Sequence, residues 1–282
     1  MKRVGIVLLN YGQKDLTLQC LQAISEFSAN HYDVTVMDNS QPGKELNEND
    51  VTKFGSSFHF WRLNENRGFA AGNNPAIQKY LQQDIEFIWL LNNDTIPEKH
   101  ALHHILEYMD THPEIGVAGM KIIVPSNRNV VYGGGFVNIR KIYTKENPKS
   151  SSPCEWITGC SLFARREVFE KTGVLDDKFF MYFEDVDFSL RARNAGFGIG
   201  FSEKAEIIHF AGSSDIGKLS HAMAFISAFH FAEKHSTSPW ISYFWIIETR
   251  LIAPFLRGNF KKTCKLCLNI LILLFRKIIG KK

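Results

Sequence analysis

Three carboxylates fall within four consecutive positions of this chain, at Glu184, Asp185 and Asp187. Acids in apolar surroundings have an altered proton affinity, which suits a general base. The alternative is a solvated helix N-terminus, where acids complement the helix dipole. Both interpretations can hold together, with Asp187 as the more structural member. The apolar neighbours of the cluster are Phe179, Phe180, Met181, Tyr182, Phe183 and Phe188.

A second group of polar residues, Asn92-Asn93-Asp94, follows an apolar run. Mg²⁺ and Mn²⁺ prefer such hard oxygen ligands and usually take one or two protein carboxylates together with substrate phosphate. The alternative is an Asn/Asp turn that only caps the next helix. His209 also follows an apolar run, where it would complete a metal or phosphate site, or be an ordinary packed or surface histidine.

A third segment, residues 64–74, contains two glycines and two alanines where a strand is expected to pass into a helix. Small residues let the backbone approach a ligand closely. The helix N-terminus and the Arg67 side chain would favour an anion such as a diphosphate. The spacing matches neither the dinucleotide-binding glycine pattern nor a Walker loop.

Hydrophobic periodicity predicts alternating strands and helices around these clusters, and therefore a mostly parallel sheet with right-handed crossovers. Because ligands bind at the carboxyl ends of strands in such sheets, the polar clusters are expected to face one crevice. Asp15 is a candidate N-cap, Gly196 is expected to close a helix, and residues 125–153 are expected to form a loop with a mobile flap at 144–152. The predicted strands are 4–9, 33–37, 58–63, 85–91, 115–124, 156–163 and 199–209, and the predicted helices are 15–27, 72–82, 98–110, 166–171, 186–194 and the region from 218 onward.

Basic charge is concentrated at the end of the chain. Residues 250–282 hold nine Lys or Arg and no Asp or Glu, which leaves 24 basic against 29 acidic residues in 1–249. This distribution excludes a general nucleic-acid binder and indicates an acidic body with a basic, apolar tail. The five cysteines lack the spacing of a disulfide framework, which favours reduced thiols and a cytoplasmic setting.

Taken in order, these motifs closely resemble those of the family 2 glycosyltransferases, and within them the rhamnosyltransferase-like branch. The resemblance runs from Val4 to about Ser214. It implies a GT-A fold, an α/β class, with nucleotide binding in residues 1–124 and acceptor binding in 125–215. The segments that carry it are Val7–Tyr11, Val36–Ser40, Asn64–Asn74, Leu90–Asp94, Trp156–Gly159 and Phe183–Asp187.

The resemblance also implies roles for individual residues. Asp185 would be the catalytic base of an inverting transfer, assisted by Glu184. Asp94 would bind Mg²⁺ or Mn²⁺, with His209 as a second candidate ligand, although only the last position of the Asn92-Asn93-Asp94 motif is acidic. The donor-binding residues would be Asn10, Tyr11, Asp38, Asn39, Arg67, Gly68, Asn92 and Asn93, and the acceptor-binding residues would be Trp156, Thr158 and Gly159.

By resemblance, the donor is expected to be dTDP-rhamnose or a UDP-sugar, and the acceptor a saccharide or a lipid-linked sugar of cell-surface polysaccharide synthesis. The helical tail, residues 216–282, combines aromatic and apolar stretches with basic flanks, which suits a peripheral helix on the inner face of the cell membrane. The alternative is a helical subdomain that packs on the catalytic body or on a second subunit in a homodimer.

Two other functions remain open on the sequence alone. A sugar-phosphate nucleotidyltransferase also uses an α/β sheet and a metal, but it needs a glycine-rich basic loop after the first strand, which Asn10–Lys14 matches poorly. A catalytically silent, tail-anchored scaffold that binds sugar nucleotides is the second, and the intact Asp94 and Asp185 argue against it.

Overall fold

The computed structural model describes residues 4–27, 31–125, 129–146, 154–210 and 220–279. Its strands are β1 Val4–Asn10, β2 Tyr32–Asp38, β3 Phe58–Arg62, β4 Phe87–Asn92, β5 Thr95–Pro97, β6 Ile115–Val124, β7 Asn129–Tyr132, β8 Gly134–Asn138, β9 Tyr143–Glu146, β10 Trp156–Ile157, β11 Ser161–Arg165 and β12 Gly198–His209. Its α-helices are α1 Lys14–Ser25, α2 Glu48–Thr52, α3 Gly68–Leu81, α4 Ala101–Thr111, α5 Arg166–Thr172, α6 Glu184–Asn194, α7 Ser220–His235, α8 Pro239–Ile247, α9 Ala253–Leu256 and α10 Phe260–Ile279, with a π-helical turn at Glu248–Ile252.

The main sheet has the strand order β3-β2-β1-β4-β11-β6-β12-β5, and β7 pairs with β6. Strands β3, β2, β1 and β4 are mutually parallel, as are β6 and β12. Apolar side chains from helices cover both faces, in two separate clusters of buried residues. Because both faces are covered, the central strands β1 and β4 are almost continuously apolar, which is why the sequence identifies them well.

The expectation of a mostly parallel sheet holds only for part of it. Strand β11 runs antiparallel between β4 and β6, and β5 runs antiparallel to β12. The predicted single strand at 156–163 is in fact two strands, because β10 pairs with β8 in a second sheet before the chain turns into β11. Residues Thr158 to Cys160 form this turn between the two sheets.

Residues 125–153 were expected to be a loop, and this is wrong for the part that the structure describes. Strand β7 joins the main sheet, while β8 and β9 form a three-stranded sheet with β10. Glycines are needed here because backbones approach closely: a Cβ on Gly134 or Gly135 would collide with the carbonyl oxygens of Trp156 and Lys145. Residues 147–153, which include most of the predicted flap, lie outside the described part of the chain.

Several helix ends also differ from the expectation. Helix α3 begins four residues early, at Gly68, and Asp15 lies in the first turn of α1 rather than at its N-cap, which is Gln13. Helix α2, which begins with a capping box between Asn47 and Asp50, was not predicted. Gly196 follows α6 with φ +93°, as expected for the residue that closes a helix.

The C-terminal helices pack on the body of the protein. Side chains from α7 and α8 form a third buried cluster with Phe179, Phe183 and Val186, against which Leu266 and Ile270 of α10 also pack. The tail was expected either to lie on a membrane or to pack on the catalytic body or a second subunit. The structure shows these helices packed on the body of the same chain. The predicted boundary at 215/216 lies outside the described residues. None of the helices in the described part is long and apolar enough to span a membrane.

Asp187 is the buried centre of the polar contacts that fix α7 to α6. Its carboxylate lies 2.9 Å from Arg191 Nε, 2.8 Å from Lys234 Nζ and 2.7 Å from His235 Nε2. Burial opposes ionisation, but the hydrogen bond from His235 and the charges of Arg191 and Lys234 outweigh it and hold the pKa of Asp187 below its usual value. This geometry gives Asp187 the structural role that the sequence suggested.

We expect Asp187→Ala to lower the free energy of unfolding by about 1.5–3 kcal/mol, because it removes a buried carboxylate that binds three partly exposed basic side chains. The exposed neighbour Asp177 is the matched control, and Asp177→Ala should change stability by less than about 0.5 kcal/mol. Urea denaturation at pH 7 measures both. Since the pKa of Asp187 is depressed in the folded state, the difference from wild type should shrink as the pH falls below about 3.9. Equal stability of both variants at pH 7 would contradict the assignment.

Candidate active site

A cavity of about 110 Å³ opens at the carboxyl ends of β1, β2 and β4. These ends converge because the three strands are parallel neighbours in the sheet. The cavity therefore collects three of the polar segments that the sequence analysis expected to meet. Its lining residues are Leu9, Tyr11, Gln13, Asn39, Asn66, Gly68, Phe69, Asn92, Asn93, Asp94, Phe180 and Met181.

Asp38 lies behind the wall of this cavity and is fully buried. Asn10 Nδ2 donates to its Oδ1 at 2.9 Å, while Arg62 Nη1 and the Leu46 N–H donate to its Oδ2 at 2.6 and 3.0 Å. Asn10 is also fully buried. Both side chains thus hold the ends of β1 and β2 together, and their predicted contact with a nucleotide stays a prediction.

Asparagine side chains hold the remaining parts of the cavity in place. Asn39 accepts a hydrogen bond from the Arg67 N–H at 3.0 Å and donates to Asn66 Oδ1 at 2.7 Å. Asn93 Nδ2 donates to Thr17 Oγ1 at 2.8 Å. The Arg67 side chain is exposed and is not among the residues that line the cavity.

Asp94 and His209 meet at the edge of this cavity. Strand β5 pairs with the end of β12, so that His209 lies opposite Thr95 and its Nε2 is 3.3 Å from Asp94 Oδ1. Within the described residues no cluster of three or more His, Cys, Asp or Glu could hold a metal. One carboxylate and one imidazole still fit a cation that takes its other ligands from diphosphate and water.

A glycine at the start of α3 allows this helix to contact the segment around Phe180. Gly68 has φ +79° and its Cα lies against the Phe180 carbonyl, which accepts a hydrogen bond from the Phe69 N–H at 2.7 Å. A Cβ at position 68 would collide with that carbonyl. The start of α3 is therefore held directly against the segment that leads into α6.

A second cavity, of about 400 Å³, begins where this segment continues. Trp156 and Thr158, both predicted acceptor residues, line it together with the acidic pair Glu184 and Asp185. Trp156 is fixed by a hydrogen bond from its Nε1 to the Phe136 carbonyl at 3.2 Å. The other lining residues are Tyr143, Thr144, Tyr182, Phe183, Val186, Ala224 and Arg250.

The two acids at the start of α6 have different surroundings. Asp185 accepts hydrogen bonds from the N–H groups of Gly159 and Val186, at 2.9 and 2.8 Å. Burial raises its pKa against the lowering effect of these bonds. Glu184 is 5% exposed and its Oε2 has no hydrogen-bond partner. Burial, with the charges of Asp185 and Asp187, raises the pKa of Glu184 well above its usual value.

The backbone that presents this pair is strained. Tyr182 and Phe183 have φ of +71° and +69°, although neither is glycine. Such conformations cost about 1–3 kcal/mol each and cluster at functional sites. The chain changes direction at these two residues. Phe180 and Met181 before the turn line the first cavity, and Tyr182 and Phe183 line the second.

The structure brings Asp94 and Asp185 to the same region through the turn between β10 and β11. The Asn92 N–H donates to the Cys160 carbonyl at 2.9 Å, and the adjacent Gly159 N–H binds Asp185. Burial raises the pKa of the Cys160 thiol, and the charges of both Asp94 and Asp185 contribute to the increase. The two carboxylates therefore belong to adjoining cavities rather than to opposite faces.

Sequence reasoning missed several lining residues. Gln13, Asn66 and Phe69 were inside or beside motifs and could have been included from their position alone. Tyr143, Ala224 and Arg250 lie in segments that were assigned to a loop and a tail, and no local sequence signal marks them.

The family model described as "Glycosyl transferase family 2" matches residues 4–173. Low-salt glycan biosynthesis hexosyltransferase Agl10 of Haloferax volcanii is 25% identical over 218 residues, which cover 73% of this chain and 66% of that protein. N-acetylglucosaminyl-diphospho-decaprenol L-rhamnosyltransferase of Mycobacterium tuberculosis is 34% identical over 90 residues, 31% of this chain and 29% of that protein. The match thus spans about two thirds of the Haloferax protein and less than a third of the mycobacterial one.

The fold is also that of solved glycosyltransferases. The mannosyltransferase PcManGT from Pyrobaculum calidifontis, in complex with GDP-Man and Mn²⁺, superposes with a TM-score of 0.59 over 95% of this chain and 73% of that one, at 13% identity. This likeness establishes the GT-A fold that the sequence resemblance implied.

Two glycines allow a matched test of the contact between the two halves of the site. Gly68 and Gly173 have φ of +79° and +78°, but a Cβ on Gly173 meets nothing within 4 Å. Gly173→Ala should therefore cost only the left-handed backbone strain of about 1–2 kcal/mol. Gly68→Ala should cost more in urea denaturation and should also weaken nucleoside diphosphate binding at least about tenfold by calorimetry. Equal effects of the two changes would show that the close approach at Gly68 is unimportant.

Proposed function

Because the chain belongs to glycosyl transferase family 2, we propose that it moves a sugar from a nucleoside diphosphate to a saccharide or lipid-linked acceptor, with inversion at the anomeric carbon. The observation that carries this proposal is the pair of adjoining cavities. One cavity holds Asp94 among polar side chains at the strand ends, and the other holds Asp185 beside Trp156 and Thr158. A sugar transfer requires separate but neighbouring binding sites for the diphosphate of the donor and the hydroxyl of the acceptor.

The proposed reaction is a single displacement. An acceptor hydroxyl in the larger cavity attacks the anomeric carbon from the side opposite the diphosphate, and Asp185 takes the hydroxyl proton. The new C–O bond forms as the bond to the diphosphate breaks, and the nucleoside diphosphate leaves with the electron pair. One base is sufficient and no enzyme nucleophile is needed, so the configuration inverts.

Asp94 and His209 are the proposed protein ligands of Mg²⁺ or Mn²⁺. The chemistry that such a cation supplies when bound is compensation of the charge on the diphosphate. The chain's own contribution is the positive dipole end of α3, which favours an anion. The Gly68 and Phe69 N–H groups at this end are already bound within the protein, to Asn66 Oδ1 and to the Phe180 carbonyl. Asn39 and Asn66 keep this helix start in position.

The proposed donor is dTDP-rhamnose, with UDP-sugars as the next candidates. Support comes from the rhamnosyltransferase branch and from the mycobacterial relative, whose name also contains a diphospho-decaprenol acceptor. By that analogy the acceptor is a lipid-linked saccharide of cell-surface polysaccharide synthesis. A sugar-phosphate nucleotidyltransferase and a silent scaffold are less well supported, because the family match covers more than half of the chain.

We further propose that the C-terminal helices bind the inner face of the membrane, which places the enzyme peripherally in the cytoplasm. Trp240, Phe244 and Leu256 are 82%, 58% and 77% exposed, which is unusual for large apolar side chains. The segment also carries the excess of basic charge at the end of the chain. Exposed aromatics beside cations suit an anionic lipid surface.

Replacement of the proposed base gives the first test of the reaction. Asp185→Asn should reduce transfer at least about 10²-fold, because it removes the proton acceptor. Asp177→Asn, a control at an exposed aspartate that lines neither cavity, should keep wild-type transfer. Since burial raises the pKa of Asp185, kcat/KM should fall on acidification at a pH above the ordinary aspartate value of about 3.9. Radiolabelled donors in a small panel measure transfer. Turnover of Asp185→Asn near wild type would reject the assignment.

Vesicle flotation tests the membrane proposal. The triple variant Trp240→Ser, Phe244→Ser and Leu256→Ser should bind phosphatidylglycerol vesicles at least about tenfold more weakly than wild type, because it removes apolar area that would enter the interface. Trp61→Ser, which changes an exposed tryptophan on β3, is the control and should bind like wild type. If the triple variant binds vesicles normally but changes from dimer to monomer by light scattering, the surface is an interface between copies instead.

A further inference from the structure

The C-terminal helices contribute a cation to the larger cavity. Arg250 lies in the π-helical turn Glu248–Ile252, beyond the residues that the family model matches, and its side chain lines the cavity beside Glu184 and Asp185. Single π-helical turns are rare and occur frequently at functional sites. The turn points the guanidinium toward the body of the protein, while Ile247 and Ile252 on either side remain exposed.

The guanidinium of Arg250 is held by neutral groups. Nη1 donates to the Ala224 carbonyl at 2.7 Å, Nη2 donates to the Ile142 carbonyl at 3.4 Å, and the group lies 5.9 Å from the centre of the Phe183 ring. Among the described residues no carboxylate forms an ion pair with it. A guanidinium has five N–H donors, so these contacts orient it and leave donors for a ligand.

A carboxyl oxygen with no partner lies in the same cavity. Glu184 Oε2 is buried and makes no hydrogen bond. Leaving a buried polar atom unpaired is unfavourable, so this oxygen is available to a hydroxyl group that enters the cavity. Burial raises the pKa of Glu184, which favours the neutral form that can donate to a sugar hydroxyl. The cavity thus offers an anion-binding fork and a sugar-binding carboxyl, beside the proposed base.

We propose that the Arg250 guanidinium binds a phosphate group of the acceptor, so that the larger cavity takes a phosphorylated sugar rather than a neutral one. This inference rests on the proposed function and identifies the acceptor class of that site. An arginine fork matches the geometry of phosphate oxygens. Exposed apolar side chains on the same C-terminal segment, Ile247 and Ile252, are available to a chain attached to the phosphate. Arg250 thereby links the C-terminal helices to acceptor recognition.

Binding of simple probes tests the proposal without requiring transfer. Farnesyl diphosphate and farnesol differ only in the diphosphate, and both are titrated with UDP or dTDP and Mg²⁺ saturating the smaller cavity. Wild type should bind farnesyl diphosphate at least about tenfold more tightly, the gain expected from charge-assisted hydrogen bonds. Equal affinities would overturn the proposal, and this comparison needs no variant. Inorganic pyrophosphate binding as tightly as farnesyl diphosphate would support phosphate recognition with a soluble acceptor, whereas weaker binding would support a lipid-linked one.

Variants assign the effect to Arg250. Arg250→Met should abolish the preference for farnesyl diphosphate over farnesol, whereas Arg257→Met, an exposed arginine outside the cavity, should keep it. Loss of the preference in both variants would show a general basic surface and would overturn the proposal, as would its retention in Arg250→Met. Failure of the proposed function would give a different result. The protein would then transfer no sugar from any donor but would still prefer farnesyl diphosphate to farnesol.

Discussion

The site depends on the turn between β10 and β11. Two consecutive residues of this turn form hydrogen bonds, one to the end of β4 and the other to the start of α6. The Cys160 carbonyl accepts a hydrogen bond from the strand end that carries Asp94, and the Gly159 N–H donates to Asp185. A Cβ on Gly159 would lie 3.1 Å from the Phe69 ring, so the ring would have to shift slightly to admit one. This turn connects the Asp94 and Asp185 carboxylates, and the strained Tyr182–Phe183 backbone leads into α6 beside it.

The larger cavity is not complete within the segment that the family model matches. The buried Asp187 fixes α7 to α6 through its contacts with Lys234 and His235, and Arg250 donates to the carbonyl of Ile142 at the hairpin between β8 and β9. The C-terminal helices therefore form one wall of the cavity while presenting exposed apolar side chains elsewhere. The proposed acceptor binding and the proposed attachment to a lipid surface therefore both depend on the C-terminal helices.

The sequence predicted β1 and β4 because both are buried along almost their whole length and form nearly unbroken apolar runs. The sequence also predicted that the polar clusters meet, because parallel strands end at the same edge of a sheet. It failed for Gly133 to Gly135, where close backbone contact rather than a turn requires glycine. It failed for Arg250 as well, because its position depends on packing between segments about a hundred residues apart, which no local pattern reports.

We propose that donor binding and proton removal take place in separate, adjoining cavities. Calorimetric titration of UDP and dTDP into wild type, Asp94→Ala and Asp185→Asn, with and without Mn²⁺, tests this separation directly. Asp94→Ala should weaken metal-dependent binding at least about tenfold, and Asp185→Asn should change it by less than about twofold. Equal weakening by both substitutions, or an Asp94→Ala variant with wild-type affinity, would contradict it.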